Sequence, residues 1–222
     1  MRYIMVINIQ SITKVVQLKA RELVILNNVS ISTNKSNINI LYGKSGSGKT
    51  TLLHILSGLD LPTSGSCIIN GTNITELSTD ERAQFRLKNI GMVYQFFNLI
   101  PNLTLKENIQ LPLIISKQSN KNMNDICDYL GIASILNQFP NECSGGELQR
   151  ASFARAMVNN PSVILADEPT GNLDSHNRQL MLDLIQKCAK DLNLTFLIAT
   201  HDDLFESIAT NQFTLKDGAI LS

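Results

Sequence analysis

Eight consecutive residues, Gly43-Lys44-Ser45-Gly46-Ser47-Gly48-Lys49-Thr50, fit the spacing G-x-x-x-x-G-K-[ST]. Glycines at those places let backbone N–H groups turn inward around phosphate oxygens, where bulkier side chains would obstruct the wrapping. Lys49 carries a flexible point charge toward β- and γ-phosphates, and Thr50 offers a hydroxyl to Mg²⁺. The helix expected from Thr50, through Thr51, to Ser57 presents its positive N-terminal end to the same anion. The competing reading is a Gly/Ser-rich surface loop. Context separates the two: Ile38-Asn39-Ile40-Leu41-Tyr42 reads as a strand running in, and Leu52-Leu53-His54-Ile55-Leu56 as an apolar helix running out. The expected ligand is ATP with Mg²⁺.

A second group with chemistry is Asp167-Glu168, placed directly after the apolar run Val163-Ile164-Leu165-Ala166. Acids at the C-terminal mouth of a buried strand lie where open α/β sheets bind ligands. Asp167 suits the support of Mg²⁺, and Glu168 suits a general base that orients water for in-line attack on the γ-phosphorus. Taken alone, the pair reads equally well as two solvated acids capping a strand. His201 follows Thr195-Phe196-Leu197-Ile198-Ala199-Thr200, so its ring N–H emerges at another strand end, within reach of the same phosphate. His54 and His176 carry no such context and read as packing and surface residues. Ser144-Gly145-Gly146-Glu147 sets a hydroxyl and two backbone N–H groups at a helix start, which reads either as an ordinary turn or as a second anion site.

The elements that must position these groups follow from pattern. The N-terminal third is rich in β-branched residues, with Val24-Ile25-Leu26 and Val29-Ser30-Ile31 on either side of an Asn pair that suits a turn. Met1 to Asn8 reads as a first strand, not as a signal peptide, since no small-residue cleavage site follows. Gly58 is placed to close the helix after the phosphate loop. Ser78 with Glu81 predicts a capped helix over Thr79 to Lys88. Strand signals fade between Phe96 and Asn160, where a helical subdomain is expected as an insertion. Short buried strands return at Val163 to Ala166 and Thr195 to Ala199, around a helix with Met181, Ile185, Cys188 and Leu192 on one face. The fold class is therefore α/β, with a parallel sheet and helical crossovers.

Composition excludes several function classes. The 222 residues suit one domain, and 43% hydrophobic with 17% charged residues is ordinary globular composition. Nineteen basic and nineteen acidic residues cancel, so no nucleic-acid partner is expected. Cys67, Cys127, Cys143 and Cys188 are far apart and read as reduced core thiols, neither a zinc site nor a disulfide scaffold. No run approaches the ~20 apolar residues of a membrane-spanning helix.

In order, Gly43 to Thr50, Gln95, Ser144 to Glu147, Val163 to Glu168, Gly171-Asn172-Leu173-Asp174 and His201 resemble the motif series of ABC transporter ATPase subunits. The resemblance covers essentially the whole chain. It implies a single domain of the P-loop NTPase type, a mixed sheet core with an N-terminal antiparallel β part and a helical subdomain inserted at about 96–160. It also implies a head-to-tail dimer of two copies sandwiching two ATP molecules, in which Ser144, Gly145, Gly146 and Glu147 close over the nucleotide of the other copy. Gln95 would link Mg²⁺ and water to the membrane partner, Asp174 would lie in a loop crossing the dimer interface, and His201 would be the switch. Integral membrane permease subunits are the implied partners, with the chain peripheral on the cytoplasmic face of the inner membrane. Tyr94-Gln95-Phe96-Phe97-Asn98-Leu99-Ile100-Pro101, Gly58-Leu59-Asp60 and Leu111-Pro112-Leu113 are similar to the bacterial branch of lipoprotein-releasing, macrolide-export and cell-division ATPases, with lipoprotein release the nearest. Two places depart from the pattern: Val16, or alternatively Tyr3, stands where an aromatic residue stacks on adenine, and Cys143 replaces the usual Leu before Ser144.

Overall fold

Two long antiparallel strands lead the chain, β1 (Met5–Leu18) and β2 (Arg21–Asn34). The computed structural model describes residues 5–19, 21–117 and 122–221, so Met1 to Ile4 of the expected first strand lie outside it. The Asn27-Asn28 pair does not make the turn that its composition predicts. β2 runs through it, with Asn28 at φ 52° where the pairing slips between Ile12↔Val29 and Lys14↔Leu26. Asn tolerates this left-handed backbone better than most residues, and Leu26 and Val29 on either side are fully buried. Core burial on both flanks outweighs the local turn preference, and the result is one irregular strand.

The turn expected at Asn34 to Asn37 is present, and β3 (Ile38–Tyr42) leads from it to the phosphate loop and α1 (Lys49–Leu56). Leu52, Leu53, Ile55 and Leu56 bury one side of α1, and Gly58, at φ 67°, follows its end as predicted. β4 (Ser64–Ile69) and β5 (Thr72–Asn73) complete a four-stranded sheet of order β2-β1-β4-β5. Next comes α2 (Thr79–Asn89), capped by the Ser78–Glu81 reciprocal pair as expected, and β6 (Ile90–Val93).

From β6 to β7 (Val163–Asp167) the described residues form no strand; they hold α3 (Leu105–Ser116), α4 (Met123–Tyr129) and α5 (Gly145–Met157). Thr104 with Glu107 and Ser144 with Glu147 repeat the capping geometry of α2, satisfying orphan N–H groups at the starts of α3 and α5. After β7 come α6 (Ser175–Asp191), β8 (Thr195–Thr200), β9 (Asn211–Lys216) and β10 (Ala219–Leu221). Met181, Ile185 and Cys188 are buried on α6 as predicted, but Leu192 is exposed, because the helix ends before it.

The second sheet has the order β10-β9-β3-β8-β7-β6, with parallel pairing from β9 through to β6 and antiparallel pairing of β9 with β10. Its central strands β3, β8 and β7 are buried on both faces, the mark of a sheet covered on both sides, whereas β9 alternates toward solvent. Val163 and Leu165 of β7 pack with α1 and the four-stranded sheet, while Ile164 and Ala166 pack with α5 and α6. The four cysteines are free; Cys67, Cys127 and Cys188 are buried, and burial pushes the Cys67 thiol up to about 12, whereas Cys143 is only half-buried. No helix among the described residues is long and apolar enough to cross a membrane.

α5 lies directly on β6 at Gly91, where a Cβ would meet the Ala156 carbonyl and the Ile164 side chain. Overpacking of this kind costs about 1–3 kcal/mol, and each kcal/mol moves Tm by about 2–4 °C in a chain of this length. Gly91→Ala is therefore expected to lower Tm by several degrees in thermal unfolding followed by circular dichroism. An unchanged Tm would mean that α5 does not press on β6 there.

Candidate active site

β3, β8 and β7 are parallel neighbours, so the segments leaving their C-terminal ends emerge at one edge of the sheet. β3 delivers the phosphate loop, β7 delivers Asp167 and Glu168, and β8 delivers His201. A cleft of about 460 Å³ opens there, lined by Lys44, Ser45, Gly46, Ser47, Gly48, Lys49, Thr50, Thr51, Gln95, Asp167, Glu168, His201 and Ile25. Gly43 lies at its back, in the lining of an adjacent cavity. Ile25 of β2 is the one lining residue that the motifs do not nominate. His54, half-buried on α1, and His176, exposed on α6, are both outside the cleft.

The loop's shape depends on Gly48, whose φ is 105°; a Cβ there would also lie 2.8 Å from Leu26 Cδ2. α1 starts immediately after it, so unpaired backbone N–H groups and the helix dipole face the cleft. The Lys49 ammonium is buried at the loop's centre, donating to Gly43 O at 2.6 Å and standing 3.5 Å from Glu168 Oε1.

The two acids differ in surroundings. Asp167 Oδ2 accepts from Thr50 Oγ1 at 2.7 Å, and burial pushes its carboxyl above the ordinary range, opposed only in part by that hydrogen bond. Glu168 adopts φ 46°, an uncommon backbone for a residue with a Cβ and of the kind that clusters at functional sites. It is held there by its own N–H donating to Ala199 O at 2.8 Å and by its C=O accepting from Gly171 N at 3.1 Å. Its Oε2 accepts from Thr200 Oγ1 at 3.0 Å, and its Oε1 is 2.9 Å from His201 Nδ1. Thr200, fully buried, escapes the sequence reading because nothing in its type distinguishes it from the other strand residues before His201.

Thr50, Asp167 and Gln95 supply hard oxygen donors at one wall of the cleft, with Thr50 and Asp167 already in contact. Among the described residues no group of three or more His, Cys, Asp or Glu forms a metal cage. That donor set fits Mg²⁺, which takes one or two protein oxygens and completes its shell with water and substrate phosphates.

Ser144, Gly145, Gly146, Glu147 and Asp174 do not line this cleft. The structure brings them instead to one another. A Cβ on Gly146 would collide with the Asn177 side chain, whose Nδ2 donates to Asp174 Oδ2 at 2.7 Å. Asp174 also caps α6, accepting from Asn177 N, and these hydrogen bonds hold its carboxyl below the ordinary value. Glu147 turns back on Ser144, whose hydroxyl and N–H lower its carboxyl in the same way. The Ser144 helix is also tied to the cleft. Asn172 Nδ2 donates to Gln95 O at 2.6 Å, and Arg155, on the last turn of α5, donates to Phe97 O and Asn98 O at 2.8 and 2.6 Å. Phe97 and Asn98 sit at φ 60° and 50°, so these bonds fix a strained loop immediately after Gln95.

The family model described as ABC transporter matches residues 26–171. The ABC transporter ATP-binding protein YtrE of Bacillus subtilis (strain 168) is 43% identical over 206 residues, covering 91% of this chain and 89% of that protein. The lipoprotein-releasing system ATP-binding protein LolD of Buchnera aphidicola subsp. Schizaphis graminum is 39% identical, covering 96% and 94% respectively. Among solved structures, the bacterial ABC transporter cassette MJ0796 in its dimeric form is similar at a TM-score of 0.89 and 34% identity, over 97% of each chain. A post-hydrolysis dimer of the same cassette with ADP and Pi is similar at 0.88.

The raised Asp167 carboxyl has a measurable consequence. At pH values above its raised folded value the group is ionised in both folded and unfolded chains, and desolvation then counts against the fold. Asp167→Asn keeps an acceptor for Thr50 and removes the charge. It is expected to raise Tm of the nucleotide-free protein at pH 8, because the buried charge that counts against the fold is gone. The gain should shrink as pH falls, because the folded chain takes up the proton before the unfolded one does. Scanning calorimetry at pH 8 and at lower pH values decides it.

Proposed function

The chain belongs to the ABC transporter family as an ATP-binding, ATP-hydrolysing subunit, and we propose that it works as a dimer that closes on two ATP molecules and drives a membrane partner. The observation that carries the mechanism is the grip on Glu168, in contact with Thr200, His201 and Lys49 at the mouth of the phosphate loop. In this reading the loop N–H groups and Lys49 hold the β- and γ-phosphates, and Mg²⁺, held by Thr50, Asp167 and Gln95, neutralises phosphate charge when bound. Glu168 orients a water molecule in line with the γ-phosphorus and takes its proton as the new P–O bond forms. The bond to the β-phosphate oxygen breaks, and ADP leaves with that electron pair. Thr200 keeps the carboxylate aimed, and His201 places its ring between that carboxylate and the γ-phosphate.

Ser144, Gly145, Gly146 and Glu147, together with Asp174, serve the other copy's nucleotide. Their separation from this chain's own cleft and their contact with each other support that division, as does the likeness to a dimeric cassette. Closure would require Glu147 to share the Ser144 hydroxyl with the incoming phosphate. We read the chain as one domain, with the helices between Phe96 and Asn160 as its inserted part.

The partner is a permease of the bilayer. Gln95 is followed by the exposed Phe96, and a cavity of about 500 Å³ lined by Arg86, Leu87, Met92, Tyr94, Pro112 and Ile115 lies beside it. Apolar surface of that kind, next to a residue of the catalytic cleft, suits an amphipathic element of a membrane subunit. For the cargo, release of lipoproteins from the inner membrane is the reading favoured by the Tyr94 to Pro101 stretch and the likeness to LolD across nearly the whole chain. Export of a drug or peptide, or control of a cell-division protein, is the alternative. An ATPase rate that does not respond to co-purified membrane subunits and lipoprotein would remove the first reading.

Glu168→Gln tests the base. It is expected to bind ATP as the parent does, to turn over at least about 100-fold more slowly, the low end for loss of a general base, and to run as a dimer with ATP in size-exclusion chromatography. Turnover at the parental rate would sink the assignment.

A further inference from the structure

Gln149 is fully buried in α5, and among the described residues neither its Oε1 nor its Nε2 has a hydrogen-bond partner. Buried polar side chains are almost always paired, so one with both ends of its amide free calls for a reason. Leaving such groups unpaired costs stability, whereas an apolar side chain of the same shape would not. Gln149 lies outside the nucleotide cleft, so contact with the phosphates does not supply that reason.

Its neighbours on α5 locate it, since residues three and four apart share a helix face. Four positions earlier is Gly145, where a Cβ would have Asn172 O and Leu173 Cδ2 both at 3.8 Å; three positions earlier is Gly146, where a Cβ would press into the Asn177 side chain. Three positions later is Ser152, whose hydroxyl donates to Phe97 O at 3.2 Å. Gln149 therefore stands where α5 meets two loops, the one after β6 at Gln95 to Phe97 and the one after β7 at Gly171 to Leu173. The loops are joined to each other by Asn172 Nδ2 donating to Gln95 O, and α5 is joined to the first of them by Ser152 and Arg155 donating to Phe97 O. The remaining edge, between α5 and the Asn172 segment, is packed tightly at Gly146 and loosely at Gly145, where a methyl group would fit. Gln149 is the amide that α5 brings to that loose edge.

We propose that Gln149 is the positioning residue of closure: its amide, unpaired in the single chain, pairs with the backbone of Gly171 to Leu173 when two copies close on ATP, and so locks α5 to that segment. The proposal rests on the ATP-closed dimer described above and adds the side chain that holds it shut from within. Ser144 caps α5 and Asp174 directly follows the Asn172 segment, so a second copy engaging both presses the two sides of the loose edge together. Gly171 also lies against Gln95, whose Nε2 would be 3.1 Å from a Cβ placed there. The lock thus steadies Gln95, one of the oxygen donors at the cleft wall. An amide that finds partners only on closure disfavours the open chain and favours the closed pair.

Gln149→Met keeps the length of the side chain and removes both polar atoms. Without nucleotide its Tm is expected to equal or exceed that of the parent, since no hydrogen bond is lost; a fall of several degrees would mean that the amide is already satisfied where it stands, and the proposal fails. In the Glu168→Gln background, the ATP-dependent dimer measured by analytical ultracentrifugation is expected to weaken about 5-fold or more, the loss of one hydrogen bond of average strength. ATP affinity of the single copy, measured by calorimetry at protein concentrations below the dimer range, is expected to stay the same. Equal dimer strength with Gln149 and with Met overturns the proposal and leaves the dimer standing, whereas a Glu168→Gln protein that forms no dimer with ATP removes both. A crystal structure of the ATP-bound Glu168→Gln dimer decides the matter without the Met variant: the Gln149 amide is expected within hydrogen-bond distance of the backbone between Gly171 and Leu173, and an amide with no partner there sinks the proposal.

Discussion

The chemistry of this protein depends on the side-by-side parallel pairing of β3, β8 and β7. Those strands are separated in sequence by long stretches, yet in-register pairing of Tyr42 with Thr200 and of Asp167 with Ala199 puts three strand ends level with one another. Slipping one pair by a single residue would turn every side chain of that strand to the opposite face. Register is protected because both faces are filled: Leu41, Leu165 and Leu197 pack on one side and Ile40, Ile164 and Ile198 on the other, all fully buried. The rigidity of an apolar sheet is thus what places a lysine, two carboxylates and an imidazole around one cleft.

That rigidity also lets the site hold groups in unfavourable states. Asp167 is a desolvated carboxyl whose charged form is disfavoured by burial, and Glu168 sits in a left-handed backbone. Each is stable only because neighbours over-determine it, through Thr50 in one case and through Ala199, Gly171 and Thr200 in the other. Such local costs are the usual sign of a site shaped for its ligand rather than for its own stability.

A second set of constraints joins the cleft to the two surfaces proposed above to meet other molecules. Arg155 and Ser152 on α5 hold the carbonyl of Phe97, and Asn172 holds that of Gln95, so the helix that begins at Ser144 and the loop after Gln95 form one hydrogen-bonded unit. Displacing either end strains the other. A membrane partner pressing near Phe96 and a second copy meeting Ser144 would therefore act on the same element, which would give the proposed closure on ATP a physical route outward.

Much of this is legible in the residues alone. The phosphate loop stands out because its chemistry forces glycines and a Lys-Thr pair into eight adjacent positions, and Asp167, Glu168 and His201 because each follows an apolar run at a strand end. Helix caps of the Ser-x-x-Glu kind are local, so the pair Ser78 and Glu81 marks the start of α2 without help from any distant contact. Where only tertiary packing decides, the residues mislead or stay silent. Asn27-Asn28 looks like a turn, but its neighbours' burial holds it in a strand; Leu192 fits the apolar period of α6 but lies beyond its end. Thr200 and Ile25 carry no signal of their own, since a threonine or isoleucine in a strand is commonplace, and they enter the site only because distant strands are paired beside them. Sequence determined which groups are suited to the chemistry, through the local spacing that phosphate and metal geometry call for; the long-range pairing of β3, β8, β7 and the hairpin decided what those groups touch, because such contacts depend on burial summed over the whole sheet.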